Sequence, residues 1–162
     1  MRVLGIDPGT ATCGFGIIHE SHGRLRLVHH GWLRTAAAER PERRLKTIYD
    51  AVLGLAADYE PAAIAVEESF VGADARTALS VGQARGAVLV AAAVAGVPCA
   101  EYAPARVKQA VCGYGRAEKS QVQRMVQTIL GLKAAPTPSH AADALAVAIC
   151  HALAPPLLRV AG

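Results

Sequence analysis

Apolar and polar positions along this chain change rhythm several times, and each change marks an element. RVLGID (2–7) is almost wholly apolar before it meets the turn-forming DPGT, which predicts a buried strand. CGFGIIHE (13–20) and RLRLVHHGWLR (24–34) alternate apolar with polar residues, and SHGR between them predicts a hairpin. From about Ala38 the period lengthens, and Leu45, Ile48, Tyr49, Val52, Leu53 and Ala56 recur at helical spacing. Pro61 opens a fourth apolar strand, AAIAVEE. Residues 74–96 then predict a long helix rich in Ala and Gly, closed by Gly96 and Pro98. VPCAEYA is a fifth strand, and helices are predicted over 104–112, 118–131 and 139–153.

Three strands, helix, strand, helix, strand and then helices describe an α/β chain with a mixed five-stranded sheet flanked by helices. That order is consistent with the ribonuclease-H-like fold. No repeat or long linker divides the 162 residues, so 1–162 are expected to form a single domain. At 52% hydrophobic and 19% charged residues the chain is globular rather than disordered, and with 4% aromatics its core must come from Ala, Val, Leu and Ile. The apolar run from Gly86 to Ala100 contains Pro98 and is short for a bilayer. The N-terminus has no apolar stretch of signal-peptide length, so the expectation is a cytoplasmic protein outside the membrane. Cys13, Cys99, Cys112 and Cys150 are scattered without a CxxC pair, a pattern of core thiols rather than of a zinc site.

The net charge of +4 is uneven. Arg24 to Lys46 carries seven cations against Glu39 and Glu42, and Tyr102 to Lys133 carries six against Glu118. Such stretches suit a polyanion, although solvated basic faces are common. Acids stand at element ends instead: Asp7 closes the first strand, and Glu67 and Glu68 close the fourth. Neighbouring strands lie about 5 Å apart, so parallel pairing of these two would bring carboxylates together at one sheet edge. Alternation sends Glu67 and Glu68 to opposite faces, and periodicity does not choose between them. In PSHAADALAVAI (138–149), His140 and Asp143 share a helix face. Taken locally they are a helix start, with Ser139 as cap and the acid complementing the dipole. Taken with Asp7 and a glutamate they are a metal site, because crowded carboxylates need a raised pKa or a bound cation.

LGIDPGT, AVEESF, GQARGA, EYAPARVKQAVCGYGRAEKSQV and HAADALAVAI, in that order, make the chain resemble the RuvC family of bacterial Holliday junction resolvases, the crossover junction endodeoxyribonucleases. The resemblance runs from Val3 to about His151. It implies metal-dependent, paired and symmetric nicking of four-way DNA junctions in recombination and repair, with Asp7, Glu67 and Asp143 as catalytic metal ligands. It selects Glu67 over Glu68, because Glu67 follows the apolar dipeptide in AVE. The fourth catalytic position falls on His140, where the best-known family form has a carboxylate; histidine also occurs in RuvC-like nucleases. Two divalent ions, Mg²⁺ or Mn²⁺, are implied, and the imidazole favours Mn²⁺. Lys108 and Lys119 resemble the family's lysines near the scissile phosphate, and Phe70 its aromatic that stacks on junction bases. Arg76, the first cation after Phe70, and Arg116 complete the expected DNA contacts. Gln83 and Arg85 belong to a family motif and either pack or bind. The implied partners are the junction, a second copy of the chain in a homodimer, and the branch-migration proteins RuvA and RuvB.

Two other readings compete. The GIDPGT turn also opens actin-like ATPases and sugar kinases, where it cradles phosphate. Those enzymes close two such domains around a nucleotide and use further Gly-rich loops that this chain lacks. The second is a non-catalytic junction-binding module in which His140 has broken the metal site.

Overall fold

The alternating segments become a meander: β1 (Arg2–Asp7), β2 (Thr12–Ser21) and β3 (Arg24–Arg34) pair antiparallel. In this computed structural model, which describes residues 1–68 and 75–155, the β2–β3 connection is a two-residue turn. His22 and Gly23 both take positive φ, 51° and 76°, as a turn matched to the strand twist requires. β4 (Ala63–Glu67) adds parallel to β1, and β5 (Cys99–Tyr102) parallel to β4, giving the sheet order β3-β2-β1-β4-β5. The mixed five-stranded sheet matches the sequence expectation.

Helices cover both faces. α1 (Pro41–Tyr59) begins where proline's fixed φ suits the first turn, slightly later than the helical spacing suggests. α1 and α2 (Ala75–Ala95) pack Ile48, Val52, Ala84 and Val88 against Leu4, Ile6, Ile17, Ile64 and Val66. On the other face α3 (Pro104–Cys112), α4 (Lys119–Leu130) and α5 (Ser139–Leu153) bury Val107, Val126, Leu145 and Ile149 over Val3, Ile18, Ala65 and Ala100. Each of these buried Val, Leu and Ile side chains stabilises the fold by about 1.5–3 kcal/mol, and each alanine by less.

By length and composition α2 is apolar enough to cross a membrane, which the shorter run from Gly86 understates. Here it belongs to a packed layer, with Ala84, Val88, Ala91 and Ala92 buried. Arg85 forks onto both carboxylate oxygens of Glu101, fastening α2 to β5. The cysteines are free thiols, Cys13 and Cys150 buried and the other two half-buried. Burial pushes Cys13 up to about 12 and Cys99 and Cys150 to about 11, which leaves these three unreactive.

α5 comes closest to the sheet. A Cβ on Gly5 would sit 2.0 Å from the Ala144 carbonyl oxygen, and one on Gly14 would sit 2.1 Å from that of His140. These strand glycines let backbone meet backbone, with Ala141, Ala144 and Ala148 as the helix's small counterparts. The start of α5 differs from the capped form. Pro138 is the N-cap and makes no side-chain cap hydrogen bond, its carbonyl accepts the Ala141 N–H, and Ser139 is already the first helical residue. Asp143 lies beyond the first turn and is not a dipole partner.

Candidate metal-dependent active site

Asp7 is the last residue of β1, directly across from Gly14 on β2. Ile6 points into the α1–α2 layer, so alternation turns Asp7 to the α5 face. The parallel register Ile6↔Val66 carries Glu67 to the same sheet edge. α5 begins over Gly14 and brings its polar residues with it. His140 Nδ1 lies 2.8 Å from Asp7 Oδ2, and Asp7, His140 and Asp143 each offer a ligand atom within 4.8 Å of the others.

Electrostatics ties Glu67 to this group. Burial, then the charges of Asp7 and Asp143, push its carboxyl up to about 7, against the opposing pull of Lys119 and Lys108. Burial also raises Asp7, although its hydrogen bond from His140 works the other way. Two carboxyls are held above their ordinary range, mainly by burial and further by neighbouring carboxylates, an environment that a bound cation would relieve. Glu68 is exposed, and its N–H is bonded to the Tyr102 carbonyl. Among the described residues the close-set ligand atoms are those of Asp7, His140 and Asp143, with Glu67 outside that 4.8 Å group; an imidazole with carboxylates is a donor set that fits a divalent cation.

Lys119 Nζ sits 2.7 Å from Asp143 Oδ2. Its place is set by the start of α4, where Glu118 and Gln121 form a reciprocal capping box. Gln121 is held further by the Tyr114 hydroxyl, 2.6 Å away. Lys108, on α3, is half-buried and close enough to act on Glu67. Arg116 is exposed on the turn that precedes α4. Arg76 opens α2 beside a cleft of about 440 Å³ that Gly9, Thr10, Ser80 and His140 also line. Phe70 lies outside the described residues. Arg85 is engaged with Glu101 and Gln83 is exposed, so that motif packs in part.

A further network escaped sequence reasoning. The Thr10 hydroxyl is hydrogen-bonded to Ser80 of α2, and the Thr35 hydroxyl donates to the Thr10 carbonyl. Arg44 Nε donates to Thr35 Oγ1 at 2.8 Å. Together these fasten the loop after Asp7 to α1 and α2. Its members are separated along the chain, and nothing local announces it.

Comparison with known proteins gives one consistent result. The family model described as crossover junction endodeoxyribonuclease RuvC matches residues 3–151. The RuvC of Moorella thermoacetica is 54% identical over 152 residues, covering 94% of this chain and 91% of that protein. The RuvC of a Roseiflexus species is 52% identical over 158 residues, covering 98% and 94%. Among solved structures, Thermus thermophilus RuvC in complex with Holliday junction substrate superposes with a TM-score of 0.89 at 46% identity, covering 94% of this chain and 93% of that one.

Proposed function

Because this chain belongs to the RuvC family of crossover junction endodeoxyribonucleases, we propose that Asp7, Glu67, His140 and Asp143 are the ligands with which it cleaves four-way DNA junctions. The observation that carries this assignment is the buried group itself: carboxyls raised first by burial and then by one another's charge, closed on one side by an imidazole. Two divalent ions held there would supply an activated water and charge for the leaving 3′ oxygen. The rest falls to the chain. Asp7 is hydrogen-bonded to His140 and acts electrostatically on Glu67, so it is the carboxylate that two ions would share. With Nδ1 engaged by Asp7, His140 keeps Nε2 for a metal ion or for positioning water and taking its proton. Lys119 and Lys108 flank the carboxylates as cations for charge developing on the phosphate. Arg76 and Arg116 extend the interface along the DNA backbone. The imidazole favours Mn²⁺ over Mg²⁺.

A homodimer fits the two symmetric strands of a junction. In support, the outer face of α2 exposes Leu79, Val90 and Val94, and Cβ atoms on Gly82 and Gly86 would meet open space. We propose RuvA and RuvB as partners and the cytoplasm as location, a reading that the family match supports. The phosphate-cradling ATPase reading has no such family support.

The test is nicking of a synthetic four-way junction after chelation and metal add-back, beside the Asp7→Asn variant. Cleavage should return with metal in the wild type. Asp7→Asn should keep junction binding, which basic patches supply, and lose cleavage by about a thousandfold or more. Residual cleavage within about tenfold of wild type would remove Asp7 from the mechanism.

A further inference from the structure

The chain has one tryptophan, and it is 47% exposed. Trp32 stands on β3, the unpaired edge of the sheet, where a large aromatic left half in water is a liability unless something covers it. Register places it closely. Trp32 pairs with Gly14, and Gly14 pairs with Asp7, so the three form one rung across β3, β2 and β1. Paired residues of a ladder share a face, so Trp32 lies on the α5 face with Asp7. Two strand spacings separate their backbones by about 10 Å. Gly14, between them, carries no side chain, and the His140 backbone occupies that gap. Trp32 therefore borders the start of α5 on the side away from β4 and Glu67.

Period-two alternation adds His30 and Arg34 to the same face. Arg34 is exposed and has no acidic partner among the described residues. A strip of cation, indole and imidazole beside a phosphodiesterase centre has the composition of a surface that follows a nucleic-acid strand. The guanidinium serves a phosphate, and the indole serves the face of a base.

Resting on the nuclease reading, we propose that Trp32 and Arg34 form a nucleotide-contact site on the β3 side of the catalytic centre. There Trp32 stacks on an unpaired or unstacked base within about three nucleotides of the scissile phosphate, at a rise of about 3.4 Å per step. Bases at a strand crossover have lost a neighbour and present a free face to such a ring. The site continues the interface to the β3 side of Asp7, whereas Lys108 and Lys119 act on Glu67, whose strand lies on the β4 side.

The lone indole is its own reporter. A four-way junction is titrated into chelated, uncleaving protein while tryptophan emission is followed, with a labelled junction read in parallel by anisotropy. Emission should be quenched and should saturate with the anisotropy. Trp32→Ala should weaken binding about fivefold or more, and Trp32→Phe should restore most of it, each with an unchanged melting temperature. Binding by anisotropy without an emission change overturns the proposal, as does wild-type affinity in Trp32→Ala. An emission change that follows protein concentration without DNA assigns the ring to a contact between copies, and overturns it too. Absence of junction binding altogether would overturn the nuclease reading, and this site with it.

Discussion

His140 Nδ1 and Asp7 Oδ2 are 2.8 Å apart across 133 residues of sequence, the contact that closes the candidate site. It joins a strand end to a helix start and puts an imidazole where an all-oxygen site would have a carboxylate. If His140 is a ligand, cleavage will be better supported by Mn²⁺ than by Mg²⁺. His140→Asp should shift that preference toward Mg²⁺, and His140→Ala should be slower than His140→Asp with either metal. Single-turnover rates in the two metals check this; wild-type cleavage by His140→Ala in both would reduce the residue to helix geometry.

Lys119 Nζ lies 2.7 Å from Asp143 Oδ2, so the cation expected at the phosphate shares a carboxylate with the proposed metal site. Lys119→Met should slow cleavage by about a hundredfold while junction affinity changes far less, since a cation on developing charge acts mainly in the transition state. Mn²⁺ binding to the DNA-free variant, followed by the spin signal of free ion, should be as tight as wild type or tighter. Equal losses in rate and junction binding would make Lys119 an ordinary backbone contact.

Glu67, raised from 4.5 to about 7, sets a pH dependence with a definite sign. Its folded pKa lies above its unfolded one, so the metal-free fold is favoured below pH 4.5 and loses that contribution as pH rises through 7. Glu67→Gln should therefore raise the metal-free melting temperature at pH 8, by ~1–3 kcal/mol of stability, and change it little at pH 4. Metal affinity should fall as pH drops below 7, because a ligand must release its proton first. Scanning calorimetry with chelator, and metal titrations at pH 6 and 8, test both halves.

Gly14→Ala should displace α5, since its Cβ would fall 2.1 Å from the His140 oxygen. The expected loss is about 1–3 kcal/mol of stability or more, with cleavage abolished. Gly54→Ala on α1 is the control, because its Cβ meets nothing within 4 Å. It should gain about 0.5–1 kcal/mol from helix preference. Thermal melts with a cleavage assay distinguish the two.

What could be read from sequence divides along physical lines. α1 buries one stripe and β3 alternates half-buried with exposed positions along much of its length, so their periods show; β2 is covered on both faces and shows its period less cleanly. α5 and β4 are apolar nearly all round, so their residues reveal an element without its orientation. That is why Glu67 and Glu68 stay equivalent to alternation, and why the Ile6↔Val66 register separates them. Asp7, His140 and Asp143 stand out as polar residues at apolar ends, and the structure brings them together. The Lys119–Asp143 pair and the Arg44–Thr35–Thr10 relay depend on contacts between distant segments, which no local spacing encodes. Trp32 is hidden by the same logic: on an alternating strand it looks like one more apolar position, and only the rung through Gly14 sets it beside Asp7.

The seat of α5 on Gly5 and Gly14 bears on when a DNA-cutting enzyme becomes armed. A ribosome delivers β1 to α4 first, and those segments carry only Asp7 and Glu67 of the four proposed ligands. His140 and Asp143 arrive on the helix whose docking also seals the sheet's second face. A nascent chain thus holds no complete centre while α5 is still in the exit tunnel. A mature chain whose α5 lifts from its glycine seat loses His140 and Asp143 from the centre in the same movement. Incomplete and damaged copies are disarmed by their own misfolding, without an inhibitor to hold them.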